Sequence, residues 1–168
     1  EATPRIFIDD AWVCGDFDEK AAKVYVTVAG KQDERPRQVR FTVDGTVVEQ
    51  ALKPSEHQVL KLPLANFRPW SPEHPNLYTG IVELVENGQV VHTRRERFGV
   101  RKIDVKGAQF YLNGKPFYVR GFGDDSVYPI TGVPPAEREF HLRHLAKARR
   151  AGFNFVRLHT HCEVPEYF

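Results

Sequence analysis

Apolar and polar residues alternate with a period of two through much of the first hundred residues. Val24, Val26 and Val28 are separated by Tyr25 and Thr27; Val39, Phe41 and Val43 are separated by Arg40 and Thr42 and followed by Asp44. A chain with this period turns one face to a core and the other to water, which predicts strands. Asp44-Gly45 and Asn87-Gly88 read as two-residue hairpin turns, since both residues tolerate positive φ. Further strands are expected around 57–64, 78–86 and 89–98. About seven short strands in roughly a hundred residues fit an immunoglobulin-like sandwich.

The stretch from Phe67 to Tyr78 interrupts the alternation. Pro69, Pro72 and Pro75 each fix φ and remove a backbone donor, so this part is expected to be a rigid extended connection. Trp70 within it is read as a packing anchor rather than a binding residue. Beyond about residue 105 the pattern changes. Phe110-Tyr111-Leu112 and Phe117-Tyr118-Val119 flank Asn113-Gly114, which predicts a tight hairpin. Pro134 and Pro135 precede a helical run from about Ala136 to Ala151, punctuated at its end by Gly152. Its apolar side is expected to carry Phe140, Leu142, Leu145 and Ala148, opposite Arg138, Arg143, Lys147 and Arg150. Phe153 to Leu158 then reads as a strand. Residues 117–158 are therefore strand, loop, helix, strand, with a right-handed parallel crossover as the default.

Composition narrows the function classes. The 24 basic and 22 acidic residues leave a net charge of +2, which is no nucleic-acid signature. Arg94, Arg95, Arg97, Arg101 and Lys102 alternate with other residues and read as a solvated sheet face. No apolar run is long enough to span a membrane. Cys14 and Cys162 are far apart and form no Cys-x-x-Cys pattern, so neither a disulfide nor a cysteine metal site is expected. The chain starts at Glu1 and holds no methionine, which reads as a segment of a longer protein; its compartment is not legible.

Four segments carry a resemblance: Trp70-Ser71-Pro72-Glu73-His74-Pro75-Asn76-Leu77-Tyr78; Phe98-Gly99-Val100-Arg101; Leu112-Asn113-Gly114-Lys115-Pro116 leading to Arg120-Gly121; and Gly152-Phe153-Asn154-Phe155-Val156-Arg157. In this order they resemble glycoside hydrolase family 2, the group of β-galactosidases, β-glucuronidases and β-mannosidases. The resemblance covers about residues 20–168. It implies a mainly β chain: an immunoglobulin-like sandwich over 1–105, then at 106–168 the incomplete start of a (β/α)8 TIM barrel, built as hairpin, strand, helix, strand. It also implies a parent that hydrolyses β-linked sugars with retained configuration, using two glutamates on later barrel strands outside this chain. The fragment itself is then expected to be inactive and without a cofactor. A non-enzymatic sandwich module for carbohydrate binding or scaffolding is the alternative.

Two departures from the family's pattern leave the sugar open. Gly121-Phe122-Gly123-Asp124-Asp125-Ser126 stands where the family often has an Asn and a His-Glu pair. Arg157-Leu158-His159-Thr160-His161-Cys162 stands where it has Arg-x-Ser-His-Tyr-Pro. Barrel sites form at the C-terminal ends of strands. Arg157, His159, His161, Asp124 and Asp125 are therefore the expected rim, with Arg157 pairing a carboxylate and the histidines binding sugar hydroxyls. His159-x-His161 with Asp124 or Glu163 is a weak metal pattern, and no metal is expected. Pairing of Asp124 or Asp125 with Glu163 as an acid and nucleophile couple is disfavoured, because an open fragment cannot fix such groups. Two barrel strands and one helix leave unpaired edges and uncovered apolar faces, so residues beyond about 120 are expected to be poorly ordered, docked on the sandwich or buried against another chain, self-association through the exposed strands being one form of the last. The partners implied are a carbohydrate substrate for the parent, and neither nucleic acid nor membrane.

Overall fold

The computed structural model describes residues 5–30, 35–53 and 57–168. Seven strands come first: β1 (Ile6–Asp16), β2 (Ala21–Gly30), β3 (Arg37–Val43), β4 (Thr46–Ala51), β5 (His57–Pro63), β6 (Tyr78–Glu86) and β7 (Gln89–Phe98). They form two antiparallel sheets, of order β1-β2-β5 and β4-β3-β6-β7. Their inward residues make one core. Val24, Val26, Leu60 and Leu62 from the first sheet are buried with Val39, Phe41, Val82 and Leu84 from the second. The period-two pattern thus becomes a β-sandwich.

The turns follow the chemistry of the sequence. Asp44-Gly45 and Asn87-Gly88 carry positive φ at both positions (46° and 80°; 51° and 78°), the geometry whose twist matches the flanking strands. Asn113-Gly114 repeats it at 52° and 78°. The 11-residue β1 carries no legible alternation, because its register against β2 shifts between Ile8 and Asp10. A bulge of this kind breaks the period, so Ile6 and Ile8 are buried on one side of it and Ala11 on the other.

The proline-rich connection is pinned as expected. Trp70 donates its amide to the Val100 carbonyl at 2.8 Å. The Arg101 guanidinium lies 4.7 Å from its ring centroid. Tyr78 is buried, donates its hydroxyl to the Asn66 carbonyl at 3.0 Å and accepts from the Arg68 amide at 2.5 Å. Asn113 donates from Nδ2 to the Trp70 carbonyl (2.9 Å) and accepts at Oδ1 from the Lys102 amide (2.9 Å). The basic residues of β7 do not form the single solvated face expected: Arg95 and Arg97 are exposed, while Arg94 and Glu96 lie on the other, half-buried face, 3.4 Å apart, where Arg94 donates to the Asp9 carbonyl of β1 at 2.7 Å.

Three short strands follow, β8 (Ile103–Lys106), β9 (Gln109–Leu112) and β10 (Lys115–Phe117), in a sheet of order β10-β9-β8. The chain divides into two compact units, Glu1–Asp104 with Tyr111–Lys115, and Val105–Phe110 with Pro116–Phe168. In the second unit, β11 (Gly121–Asp124) pairs in parallel with β12 (Phe155–Leu158), and α1 (Arg138–Arg150) lies between them in sequence. Phe122 packs edge-on against His144 of α1 and against Phe153. The helix begins two residues later than its proline signal predicts. Its buried residue is His141, while Phe140 and Leu142, expected on the core side, are exposed. A two-stranded sheet is too narrow to cover a full apolar stripe. No helix of the described residues is long and apolar enough to cross a membrane.

Candidate functional site

The parallel pair fixes where each expected rim residue stands. Gly121 lies opposite Phe155, Gly123 opposite Arg157, and Asp124 opposite Leu158. Successive strand residues face opposite sides. Arg157 and Phe155 therefore share one face with Gly121 and Gly123. Phe122 and Asp124 share the other, against which α1 packs. The five expected residues are thus divided: Arg157 stands on one side, exposed and without an ion pair to any described residue, and Asp124 on the other.

At the strand ends the remaining residues gather. His159 donates its amide to the Asp124 carbonyl at 2.9 Å, and its Nδ1 lies 3.3 Å from the exposed carboxylate of Asp125. His161 Nδ1 lies 2.8 Å from the His159 carbonyl and its Nε2 3.0 Å from Oε1 of Glu163. The His159 carbonyl and the Glu163 carboxylate raise the imidazole's pKa above its ordinary value. Tyr128 donates its hydroxyl to the same Oε1 at 3.0 Å. Desolvation and that carboxylate push the Tyr128 phenol up to about 12. The Glu163 side chain is fully buried, and its other oxygen, Oε2, has no hydrogen-bond partner among the described residues; the same holds for the Tyr167 hydroxyl. The ligand atoms of Asp124, His161 and Glu163 lie within 4.8 Å of one another.

Beside this cluster, the loop after β11 and α1 enclose a cleft of about 390 Å³, lined by Asp124, Val127, Tyr128, Ile130, Phe140 and His144. His144 Nε2 lies 3.5 Å from the Asp124 carboxylate. The proximity of Asp124 to Glu163 is near the spacing of a retaining carboxyl pair, about 5 Å. Burial decides against that chemistry: a side chain with no exposure, already accepting two contacts, has no path to an anomeric carbon.

Sequence reasoning placed Glu163 only as a partner for other groups and did not single out Tyr128, His144 or Tyr167. Tyr128 sits in a loop without periodicity, and Tyr167 in the short 3-10 turn Pro165–Tyr167. Nothing local marks either as a neighbour of Glu163.

The profile of glycosyl hydrolases family 2 matches residues 6–101. A β-galactosidase of Streptococcus thermophilus is 30% identical over 138 residues, covering 78% of this chain and 14% of that protein. The β-galactosidase large subunit of Latilactobacillus sakei is 30% identical over 137 residues, covering 78% and 22%. Among solved structures, the β-glucuronidase of Ruminococcus gnavus in complex with D-glucuronic acid superposes with a TM-score of 0.72 at 23% identity, covering 98% of this chain and 28% of that one. That likeness is one of fold. The chain spans 14–28% of the length of these proteins.

Proposed function

The chain belongs to glycosyl hydrolases family 2, and from that membership we propose that it is the accessory sandwich and barrel entry of a retaining glycosidase acting on β-linked sugars. Residues 1–105 are the immunoglobulin-like domain, and residues 106–168 open a TIM barrel. The observation that carries this reading is the parallel β11–β12 pair with α1 between, which comes after the region matched by the family and the short β8–β10 sheet.

In this reading the Gly121, Gly123, Phe155 and Arg157 face looks into the barrel, because helices cover a barrel from outside. Arg157 sets the charge around a carboxylate nucleophile supplied by a later strand. His159 and Asp125, exposed at the strand ends, hydrogen-bond sugar hydroxyls. Asp124 and His161 support the same rim from behind. Both catalytic glutamates lie outside residues 1–168, so the chain alone is inactive.

The test is hydrolysis of nitrophenyl β-galactoside and β-glucuronide by this chain and by the longer protein that carries it. Turnover is expected from the longer protein only, and it should fall on Arg157→Ala. Absence of hydrolysis of any β-glycoside by the longer protein removes the enzymatic reading. Turnover by the chain alone that disappears in Asp125→Asn or Glu163→Gln removes the claim of inactivity.

A second reading, a carbohydrate-binding sandwich, is favoured by one observation. Trp12 stacks on Tyr25 (centroids 3.9 Å apart, planes 7° apart) and is 50% exposed, a flat aromatic surface on which a sugar ring can lie. Quenching of Trp fluorescence by oligosaccharides, lost in Trp12→Ala, separates the two readings.

A further inference from the structure

The cluster behind the strand ends encloses a buried carboxylate with one oxygen unmatched among the described residues. A backbone carbonyl can only accept, so the 2.8 Å contact between His161 Nδ1 and the His159 carbonyl requires the proton on Nδ1. That leaves Nε2 as the ring atom turned towards Glu163. It faces Glu163 Oε1 at 3.0 Å, and that oxygen already accepts from Tyr128. The Glu163 side chain has no exposure, so water cannot complete it from outside. Glu163 Oε2 and the Tyr167 hydroxyl have no partner among the described residues. A buried carboxylate with an unmatched oxygen is costly unless a cation or further donors complete it.

We propose that Asp124, His161 Nε2 and Glu163 form a three-ligand site for a divalent first-row transition ion of the Zn²⁺ or Mn²⁺ kind. One imidazole and two carboxylates suit those ions; Ca²⁺ prefers oxygen alone, and six or more of them. The three ligand atoms lie within 4.8 Å of one another. A zinc ion held at about 2.0–2.2 Å by nitrogen and oxygen brings its ligands to about 3.3 Å apart, so closure asks each side chain to move by about an ångström. The outer contacts of a metal site are already in place. The carbonyl of His159 orients the His161 ring and fixes its tautomer, and Tyr128 hydrogen-bonds the carboxylate.

Position assigns the ion a structural role. Asp124 ends β11, while His161 and Glu163 follow β12, so the ion ties together the two segments that leave the parallel pair. It lies on the α1 side of that pair, and Arg157 faces the other. It is therefore separate from the sugar-facing rim and does not depend on the glycosidase reading.

The test is titration calorimetry of the chelator-treated chain with ZnCl₂ and with MnCl₂, together with Mn²⁺ broadening of its amide resonances. One equivalent should bind, with broadening centred on Asp124, His161 and Glu163. Affinity should fall by roughly tenfold or more in Glu163→Gln and in Asp124→Asn, and stay unchanged in Cys14→Ser. Zn²⁺ should also slow hydrogen exchange of the β11 and β12 amides, as any ligand of the folded form does. If Glu163→Gln fails to fold, Asp124→Asn carries the comparison, since its side chain is not fully buried. No saturable binding of either ion, broadening centred elsewhere, or unchanged affinity in Asp124→Asn overturns the proposal.

Discussion

Asn154 and Arg120 hold each other through main chain and side chain together. The Asn154 amide donates to the Arg120 carbonyl at 2.9 Å, and the Arg120 amide donates to Asn154 Oδ1 at 2.8 Å. Asn154 Nδ2 adds a bond to the Tyr118 carbonyl, and Arg120 Nε adds one to the Gly152 carbonyl. The two segments brought together here are the Arg-Gly before β11 and the Gly-x-Asn before β12. Their recurrence in the pattern that pointed to the family therefore has a structural cause: they set the start of the parallel pair.

Asn154→Ala should loosen that start without touching the sandwich. It removes two side-chain bonds, and because the site is exposed the loss is expected at about 1 kcal/mol locally. Hydrogen exchange of the β11 and β12 amides should quicken several-fold, while β3 and β6 amides keep their protection. Equal effects in both regions would show that Asn154 acts globally.

Asn113 makes the corresponding link within the first unit, between Trp70 and Lys102, and does so at a φ of 52°. Asn113→Gly keeps the turn and loses the two bonds, for an expected cost of about 1–2 kcal/mol in urea unfolding. Asn113→Ala loses the same bonds and adds left-handed strain of about 1 kcal/mol. The glycine variant should therefore be the more stable of the two.

Gly80 of β6 lies against the core ring of Phe41. A Cβ there would stand 2.6 Å from Phe41 Cε2, and that ring is fully buried. Gly80→Ala is expected to destabilise the sandwich by about 1–3 kcal/mol through overpacking, read as a lower urea midpoint with unchanged slope. A neutral result would mean the ring has room to turn aside.

Asp16 sets an acid limit. The Glu19 amide, and after it the Lys23 ammonium 3.0 Å away, hold its carboxyl down from 3.8 to about 2. A depressed folded value contributes stability that is complete above the unfolded value, about 3.8, and is lost as pH falls towards 2. Asp16→Asn should remove that part of the pH dependence, so the two stability curves converge between pH 4 and 2. Parallel curves through that window would exclude the role.

The second unit leaves apolar side chains uncovered: Ile130 is 98% exposed and Phe155 51%. Amides across 140–160 should be weakly protected in a dilute monomer and gain protection as concentration rises, in step with association seen by sedimentation. A monomer at every concentration with full protection across 140–160 would contradict this.

The sandwich was legible because its signals are local. Val24, Val26, Val39 and Phe41 announce their faces by period alone, and the three Asp-Gly or Asn-Gly pairs announce their turns. β1 was not legible, since a bulge between Ile8 and Asp10 hides its period. The helix was legible in extent but not in facing. His141 is buried there because its Nε2 meets the Pro135 carbonyl at 2.7 Å and its ring meets Tyr167, contacts that no heptad or hydropathy pattern encodes.

The sequence by itself determined the sandwich strands, the hairpin turns and, through four ordered segments, the family. These depend on neighbours within a few residues, where side-chain period and φ preference act directly. Only the tertiary structure decided which candidate groups meet. Parallel pairing in one register put Arg157 and Asp124 on opposite faces. Loop closure brought Tyr128 to Glu163 across 35 residues, and burial left that carboxylate with one oxygen unmatched among the described residues. Register, closure and desolvation are properties of elements packed together, so no reading along the chain could have supplied them.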